Sequence, residues 1–383
     1  MSNQPPRLRE LLQQLIALPS ISCTDPAIDQ GNREVIDTLA NWLHDLGFST
    51  EIQSVSADGL KANLIATAGT GTDGLVLAGH TDTVPFDEAD WQHDPFKLTE
   101  EDNRFYGLGT SDMKSFFALV IEAVRDIDLS SLRQPLIILA TADEETTMSG
   151  ARALNKSHVS GARFALIGEP TSLSPVRMHK GMMMEAIRLT GMSGHSSNPA
   201  LGNSALEAMH RVIGELLKWR SELQDRYRNA LFDVPVPTIN FGHIHGGDNP
   251  NRICGHCELQ IDIRPLPGMK LTDLRNELEH RLSRTLRGSR ISYEAIALFD
   301  GISAMETPGD SAIVKMTEEL TGHTAGTAAY ATEAPYLNAI GVETVVMGPG
   351  KIQQAHQPDE YIDAGMMKQY IRMIRELIKQ HCL

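Results

Sequence analysis

Six side chains able to bind metal or move protons stand at the ends of apolar runs or glycine-bearing turns: His80, Asp82, Asp112, Glu144, Glu145 and Glu169. The run Gly74-Leu-Val-Leu-Ala78 leads to His80 and, one spacer later, Asp82; Pro85 ends regular structure there. Asp112 lies in Phe105-Tyr-Gly-Leu-Gly-Thr-Ser-Asp-Met-Lys114. Glu144 and Glu145 follow the apolar stretch 136–142, and Glu169 follows 164–167. One acid after a strand is ordinary turn composition. Five carboxylates gathered at one sheet edge would repel strongly unless cations neutralise them. The convergence predicts a metal site with His80 as a ligand and Asp82 orienting it. Nitrogen and carboxylate donors without cysteine suit zinc or a similar divalent ion. A paired site needs a further histidine. Gln353-Gln-Ala-His-Gln-Pro-Asp-Glu360 offers His356, which taken alone is equally a surface histidine.

These groups need elements to hold them. Helical spacing of apolar residues predicts a first helix after Pro5-Pro6, through Leu8, Leu11, Leu12, Leu15 and Ile16. A second runs through Val35, Ile36, Leu39, Trp42, Leu43 and Leu46, with Gly47 as its cap. Strands are expected at 49–53, 63–67, 74–78, 136–142 and 164–167, with a helix after Lys114. Near-continuous apolar strands mark a sheet covered on both faces. Alternating strands and helices argue α/β with a mostly parallel sheet. The pattern changes near Met182. A strand at 183–189, a helix at 203–223, strands at 238–245 and 257–263, a helix at 271–286 and a strand at 291–296 give β-α-β-β-α-β, a ferredoxin-like unit. The α/β pattern resumes with a helix at 311–320, a strand at 342–347, a loop at 348–360 and a helix at 366–381. The expected division is a first catalytic part at 1–181, an inserted domain at 182–298 and a second catalytic part at 299–383.

With 383 residues the chain can bury a sizeable core. Its formal net charge of -15 argues against nucleic acid and anionic membranes as partners. No apolar run approaches the roughly 18 residues of a membrane helix. The N-terminus lacks the features of a secretory signal. Four cysteines are too few for a disulfide scaffold, so a cytoplasmic protein with reduced thiols is expected.

Gly79-His-Thr-Asp82, Gly109-Thr-Ser-Asp-Met-Lys114, Asp143-Glu-Glu145, Gly168-Glu-Pro170 and Ala355-His-Gln-Pro-Asp359 together resemble the di-zinc aminoacylase-type metallohydrolases, a family of deacylases, desuccinylases and peptidases. The resemblance runs essentially end to end. Within the family it is nearest to the branch acting on N2-acetyl-L-ornithine, in Gly242-His-Ile-His-Gly-Gly247, Asn251-Arg-Ile-Cys254 and the His356 loop. It departs at Ser115, where the family often has glycine. The resemblance implies a di-zinc exopeptidase-like fold with the inserted ferredoxin-like domain. It implies two divalent ions, Zn(II) first and Co(II) second. His80 and Glu169 would hold one, Glu145 and His356 the other, and Asp112 would bridge them. Asp82 would hydrogen-bond the free nitrogen of His80, fixing its tautomer. Adjacent residues at a strand end diverge, so Glu144 can face the attacking water as general base while Glu145 binds metal. His195, in Gly191-Met-Ser-Gly-His-Ser-Ser-Asn198, would serve the active site of a homodimer's other subunit as an oxyanion stabiliser, with the inserted domain as the dimer contact. Asn251 and Arg264 would contact the carboxylate side of a small N-acyl amino acid.

Other readings of these residues stand beside the metallohydrolase one. Arg252 is equally a surface ion pair. Cys254-Gly-His-Cys257 matches the spacing of thiol oxidoreductases, which need a helix starting at the first cysteine. The strand-like sequel favours structural thiols. The methionines at 182–184 suit core packing. A non-catalytic metal-binding module is the third possibility.

Overall fold

The computed structural model describes residues 4–383. They divide into two compact units: one of the chain up to Arg177 with Thr307–Gly326 and Glu333–Leu383, the other of Met178–Glu306 with Thr327–Thr332. The unit boundaries fall at 178 and 306, against the expected 182 and 298. Among the described residues no helix is long and apolar enough to cross a membrane.

In the first unit four parallel strands lie side by side in the order Leu136–Thr141, Gly74–His80, Ala162–Pro170, Glu343–Gly348. Ala62–Ala68 and Ser49–Ser54 extend the sheet antiparallel beyond Leu136–Thr141. Every residue of Gly74–His80 and Leu136–Thr141 is buried. Both faces of a parallel sheet are covered, so such strands are apolar throughout instead of alternating. From Gly74–His80 the chain passes to a neighbour on one side, then crosses to Ala162–Pro170 on the other. The order reverses at Gly74–His80, and α/β sheets open a crevice at the carboxyl ends of such strands. Ala162–Pro170 is longer than the expected 164–167. Pairing of Gly74 with Ala162 extends its start, and pairing of Gly348 with Pro170, on the Glu343–Gly348 side alone, carries its end past Glu169.

Helix Ser115–Val124 contacts helices Leu8–Ile16 and Ala364–Cys382, and every residue of it except Glu122 is buried. Helix Ala364–Cys382 turns Met367, Tyr370, Ile371, Ile374, Leu377 and Ile378 inward, three or four residues apart, the spacing of one helical face. Helix Ser115–Val124 approaches the sheet closely because two strand positions lack a side chain. A Cβ on Gly168 would lie 2.0 Å from Phe116 Cδ2, and one on Gly79 would lie 2.2 Å from Met113 Cε.

A small antiparallel sheet was not expected. Thr99–Glu101 and Arg104–Tyr106 form a hairpin through Asp102 and Asn103, both at positive φ, and Tyr361–Asp363 adds the third strand. Asp and Asn tolerate that conformation, which suits a two-residue hairpin turn. The strands are three residues long, too short for periodicity to reveal. Their effect is to set Tyr361 opposite Tyr106, so the loops carrying Asp112 and His356 leave from neighbouring positions.

The second unit contains strand Met183–Thr190, helix Ala205–Arg226, strands Thr238–Gly246 and His256–Arg264, helix Leu271–Leu286 and strand Ser292–Ala297. His256–Arg264 and Met183–Thr190 are central, Thr238–Gly246 and Ser292–Ala297 are the edges, and all pairings are antiparallel. This is the ferredoxin-like arrangement. Cys257, Leu259, Ile261 and Ile263 are buried on the face toward the helices, and the intervening residues are more exposed.

Gly168→Ala is expected to destabilise the first unit by about 1–3 kcal/mol, because Phe116 must move to admit a methyl group. Denaturant unfolding measures it; a wild-type midpoint would contradict the packing described.

Candidate metal centre

The carboxyl edge of the parallel sheet brings the sequence-predicted groups of the first unit together. His80 ends its strand with only 1% exposure. Glu144 and Glu145 follow Leu136–Thr141, and Glu169 is the penultimate residue of Ala162–Pro170. Asp112 comes from the loop before helix Ser115–Val124, and His356 from the loop after Glu343–Gly348.

Asp112 is the geometric centre. Its Oδ1 lies 3.1 Å from His80 Nε2, and its Oδ2 lies 3.5 Å from His356 Nε2. Each carboxylate oxygen therefore faces a different histidine. His80 Nε2 is also 3.9 Å from Glu169 Oε2, and His356 Nε2 is 3.2 Å from a Glu145 carboxylate oxygen. Donor atoms of His80, Glu144 and Glu169 lie within 4.8 Å of one another, as do those of His80, Asp112 and Glu145. Glu144 is thus as close to the His80–Glu169 group as a ligand would be, and proximity alone does not separate ligand from base.

Burial pulls the His80 imidazole down, but Asp112 and Asp82 outweigh it and hold its pKa well above the ordinary value. Hydrogen bonds to Asp112 and Glu145 push His356 up to about 10. Burial opposes ionisation of Asp112, yet the hydrogen bonds from His356 and His80 leave it below the usual carboxylate range. Burial and then the charge of Glu169 push Glu144 well above it. Burial and then Asp112 push Glu145 and Glu169 upward. Carboxyls that disfavour one another's ionisation, interleaved with two imidazoles, are a donor set that divalent cations fit.

The role of Asp82 divides between its backbone and its side chain. Its backbone carbonyl is 3.0 Å from His80 Nδ1, whereas the nearest carboxylate oxygen is 3.6 Å away. The carboxylate instead accepts the backbone N–H groups of Glu144 at 3.2 Å and Glu145 at 3.1 Å. A carbonyl on the other ring nitrogen fixes the tautomer as a carboxylate would.

Sequence reasoning missed several residues that shape the site. Asp143, at φ 62°, accepts Lys61 Nζ at 2.6 Å, Ser22 Oγ at 2.7 Å and Ser149 Oγ at 2.8 Å, which anchors the turn bearing Glu144. Glu333 is buried and takes the Thr141 hydroxyl at 2.6 Å; burial raises it to about 7. Glu360 is buried beneath the Asp112 loop, where burial raises it to about 8. Burial lowers nearby Lys114 to about 7. Asp143 opens the motif Asp143-Glu-Glu145 and Glu360 follows Ala355–Asp359, which is the one signal that could have found their roles.

The remaining candidates lie in the second unit. His195 is exposed, its Nδ1 2.7 Å from Ser197 Oγ, and its stretch bridges to Arg252. Ser196 N–H donates to the Asn251 carbonyl, so the His195 and Asn251 stretches run together. Arg252 pairs with Asp248 at the surface. Arg264 is half-buried, 3.0 Å from Asp262 Oδ2. The thiol oxidoreductase reading finds no support. Cys254 and Cys257 are free and buried, strand His256–Arg264 takes the place of the required helix, and burial raises the Cys257 thiol.

A sequence profile described as Peptidase family M20/M25/M40 matches residues 76–380. The chain is 52% identical over 385 residues to an acetylornithine deacetylase from Proteus mirabilis (strain HI4320), covering 100% of this chain and 99% of that protein. Among solved structures, aminopeptidase PepT from Bacillus cereus ATCC 10987 has a TM-score of 0.76 at 18% identity, with 98% of each chain covered. A Bacillus subtilis protein described as a dinuclear metal binding peptidase from the M20 family has a TM-score of 0.67 at 14% identity, again with 98% of each chain covered. At such identities the solved structures establish a shared fold.

Asp82→Ala should leave the Glu144 and Glu145 amides unpaired and cost about 1–3 kcal/mol of stability. Calorimetric titration with Zn(II) should show His80→Ala weakening metal binding far more than Asp82→Ala. The opposite order would reverse the roles given to these two residues.

Proposed function

We propose a function from one premise: this chain belongs to peptidase family M20/M25/M40. It is an enzyme acting on linear amides, and its reaction is removal of the acetyl group from N2-acetyl-L-ornithine to give L-ornithine and acetate. The carrying observation is Asp112, whose two oxygens face His80 and His356, each flanked by a further carboxylate. Full-length 52% identity to an acetylornithine deacetylase supports the choice of acyl group.

His80 and Glu169 would hold one divalent ion, Glu145 and His356 the other, and Asp112 would bridge them. Zn(II) suits this donor set first and Co(II) second. When bound, the ions supply Lewis acidity, which activates water and polarises the amide carbonyl. Glu144 accepts a proton from the attacking water on a carboxylate oxygen. It then delivers that proton to the departing nitrogen, so the oxygen leaves in acetate and the proton in the ornithine amine. Asp82, through the amides of Glu144 and Glu145, holds base and ligand on one turn.

His195 is assigned to oxyanion stabilisation in a homodimer that associates through the second unit. Asn251 and Arg264 are assigned to the substrate carboxylate, for which a guanidinium fork is well matched. The setting proposed is the cytoplasm, in arginine biosynthesis.

Purified protein loaded with Zn(II) or Co(II) should release acetate from N2-acetyl-L-ornithine faster than it cleaves N-succinyl-diaminopimelate or a dipeptide. A preference for either competitor would sink the substrate assignment. Glu144→Gln should retain two metal equivalents and lower kcat by about 10²–10⁴-fold. Unchanged turnover in that variant would remove Glu144 as the base. A chelator should abolish turnover, and added Zn(II) or Co(II) should restore it.

A further inference from the structure

We infer that Glu360 is a positioning residue that sets the separation of Asp112 and His356, and with it the affinity for the second of the two metal ions. This rests on the two-metal reading of the site.

Glu360 is only 2% exposed and meets Asp112 at its backbone N–H. Its Oε1 accepts the N–H groups of Ser111 at 2.6 Å and Asp112 at 2.9 Å, and its Oε2 accepts that of Gly109 at 2.9 Å. Its carbonyl accepts Gly107 N–H at 3.0 Å and the Thr110 hydroxyl at 3.2 Å. One residue therefore takes five hydrogen bonds from the loop that carries Asp112. Successive N–H groups turned onto one acceptor form a backbone nest, which selects an anion.

The same residue lies four positions after His356. On one side, Asp359 Oδ1 accepts Gln92 N–H at 3.1 Å, His93 N–H at 2.9 Å and His93 Nδ1 at 2.8 Å. On the other, Tyr361 pairs with Tyr106. A second tie joins the two loops at Ser111, whose hydroxyl lies 3.2 Å from Lys351 N. His356 sits on a loop, exposed and at φ 60°. His80 ends a central strand and is buried. The His80–Glu169 position is thus held by the sheet, whereas the Glu145–His356 position depends on how the 348–360 loop is fastened to the Asp112 loop.

A carboxylate is required for this fastening. Three N–H donors converge on two oxygens. A glutamine at this position must turn its NH2 toward either Gly109 or the Ser111–Asp112 pair, setting donor against donor in a buried place. Aspartate keeps both acceptors but is one methylene short.

The test is Co(II) titration of metal-free protein, followed by visible absorption and calorimetry. Wild type should take two equivalents. Glu360→Gln should keep the first and weaken the second by about 10–100-fold, the range for partners that orient a ligand. It should also alter the absorption band of the second ion. Glu360→Asp should fall between the two and carries the comparison alone if Glu360→Gln does not fold. Leu377→Ala removes a fully buried side chain far along helix Ala364–Cys382, and should lower Tm while leaving both Co(II) equivalents as in wild type. Wild-type affinity for both ions in the Glu360 variants would overturn the inference. So would an equal loss in Leu377→Ala. A wild type that takes fewer than two equivalents would instead overturn the two-metal reading beneath it.

Discussion

Mutual repulsion of carboxylates at one sheet edge is the constraint on which the site depends. Asp112, Glu144, Glu145 and Glu169 converge there, with Asp82 and Glu333 close behind. Burial and mutual charge drive most of these groups away from ionisation, and the two histidines work in the other direction. Folding alone does not satisfy such an arrangement, and bound metal cations would supply the missing positive charge. The parallel sheet is what makes the convergence possible. Its strands are apolar along their length and release polar residues only at the carboxyl end.

Apart from Glu144 and Glu333, the acids near the site fall into two classes with different partners. Asp112, Glu145 and Glu169 face histidine nitrogens. Asp82, Asp143 and Glu360 face backbone N–H groups, hydroxyls or a lysine, and each immobilises a turn on which one of the first class sits. Loops carry many backbone donors with no partner in a helix or sheet, and a buried carboxylate satisfies several at once. The precision of the centre comes from this second class as much as from the strands.

The two classes were not equally legible. Long apolar runs such as Gly74–His80 and Leu136–Thr141 announce buried strands, and the polar residues at their ends announce an edge site. The β-α-β-β-α-β order of the second unit follows from alternation and helical spacing. The carboxylate of Asp82 was harder to place, because spacing alone does not reveal whether carbonyl or carboxylate meets the imidazole. Glu360 was invisible as a positioning group, since its partners are amides 248 to 251 positions earlier in the chain. The small sheet of Thr99–Glu101, Arg104–Tyr106 and Tyr361–Asp363 was missed for the same reason. Three-residue strands have no period, and their pairing is a long-range event.

The chain order of the central strands has a consequence for synthesis. A nascent chain that has emerged through Pro170 already contains His80, Asp112, Glu144, Glu145 and Glu169. Its strand Ala162–Pro170 still has an open edge on the side later filled by Glu343–Gly348. The whole second unit must be translated before that strand arrives, so the growing chain carries an unpaired parallel edge and an uncompensated nest of acids for close to half of its synthesis. Exposed edges of this kind invite wrong pairing. An ion taken up early by His80 and its neighbours would quench the repulsion and stiffen that edge before its partner exists.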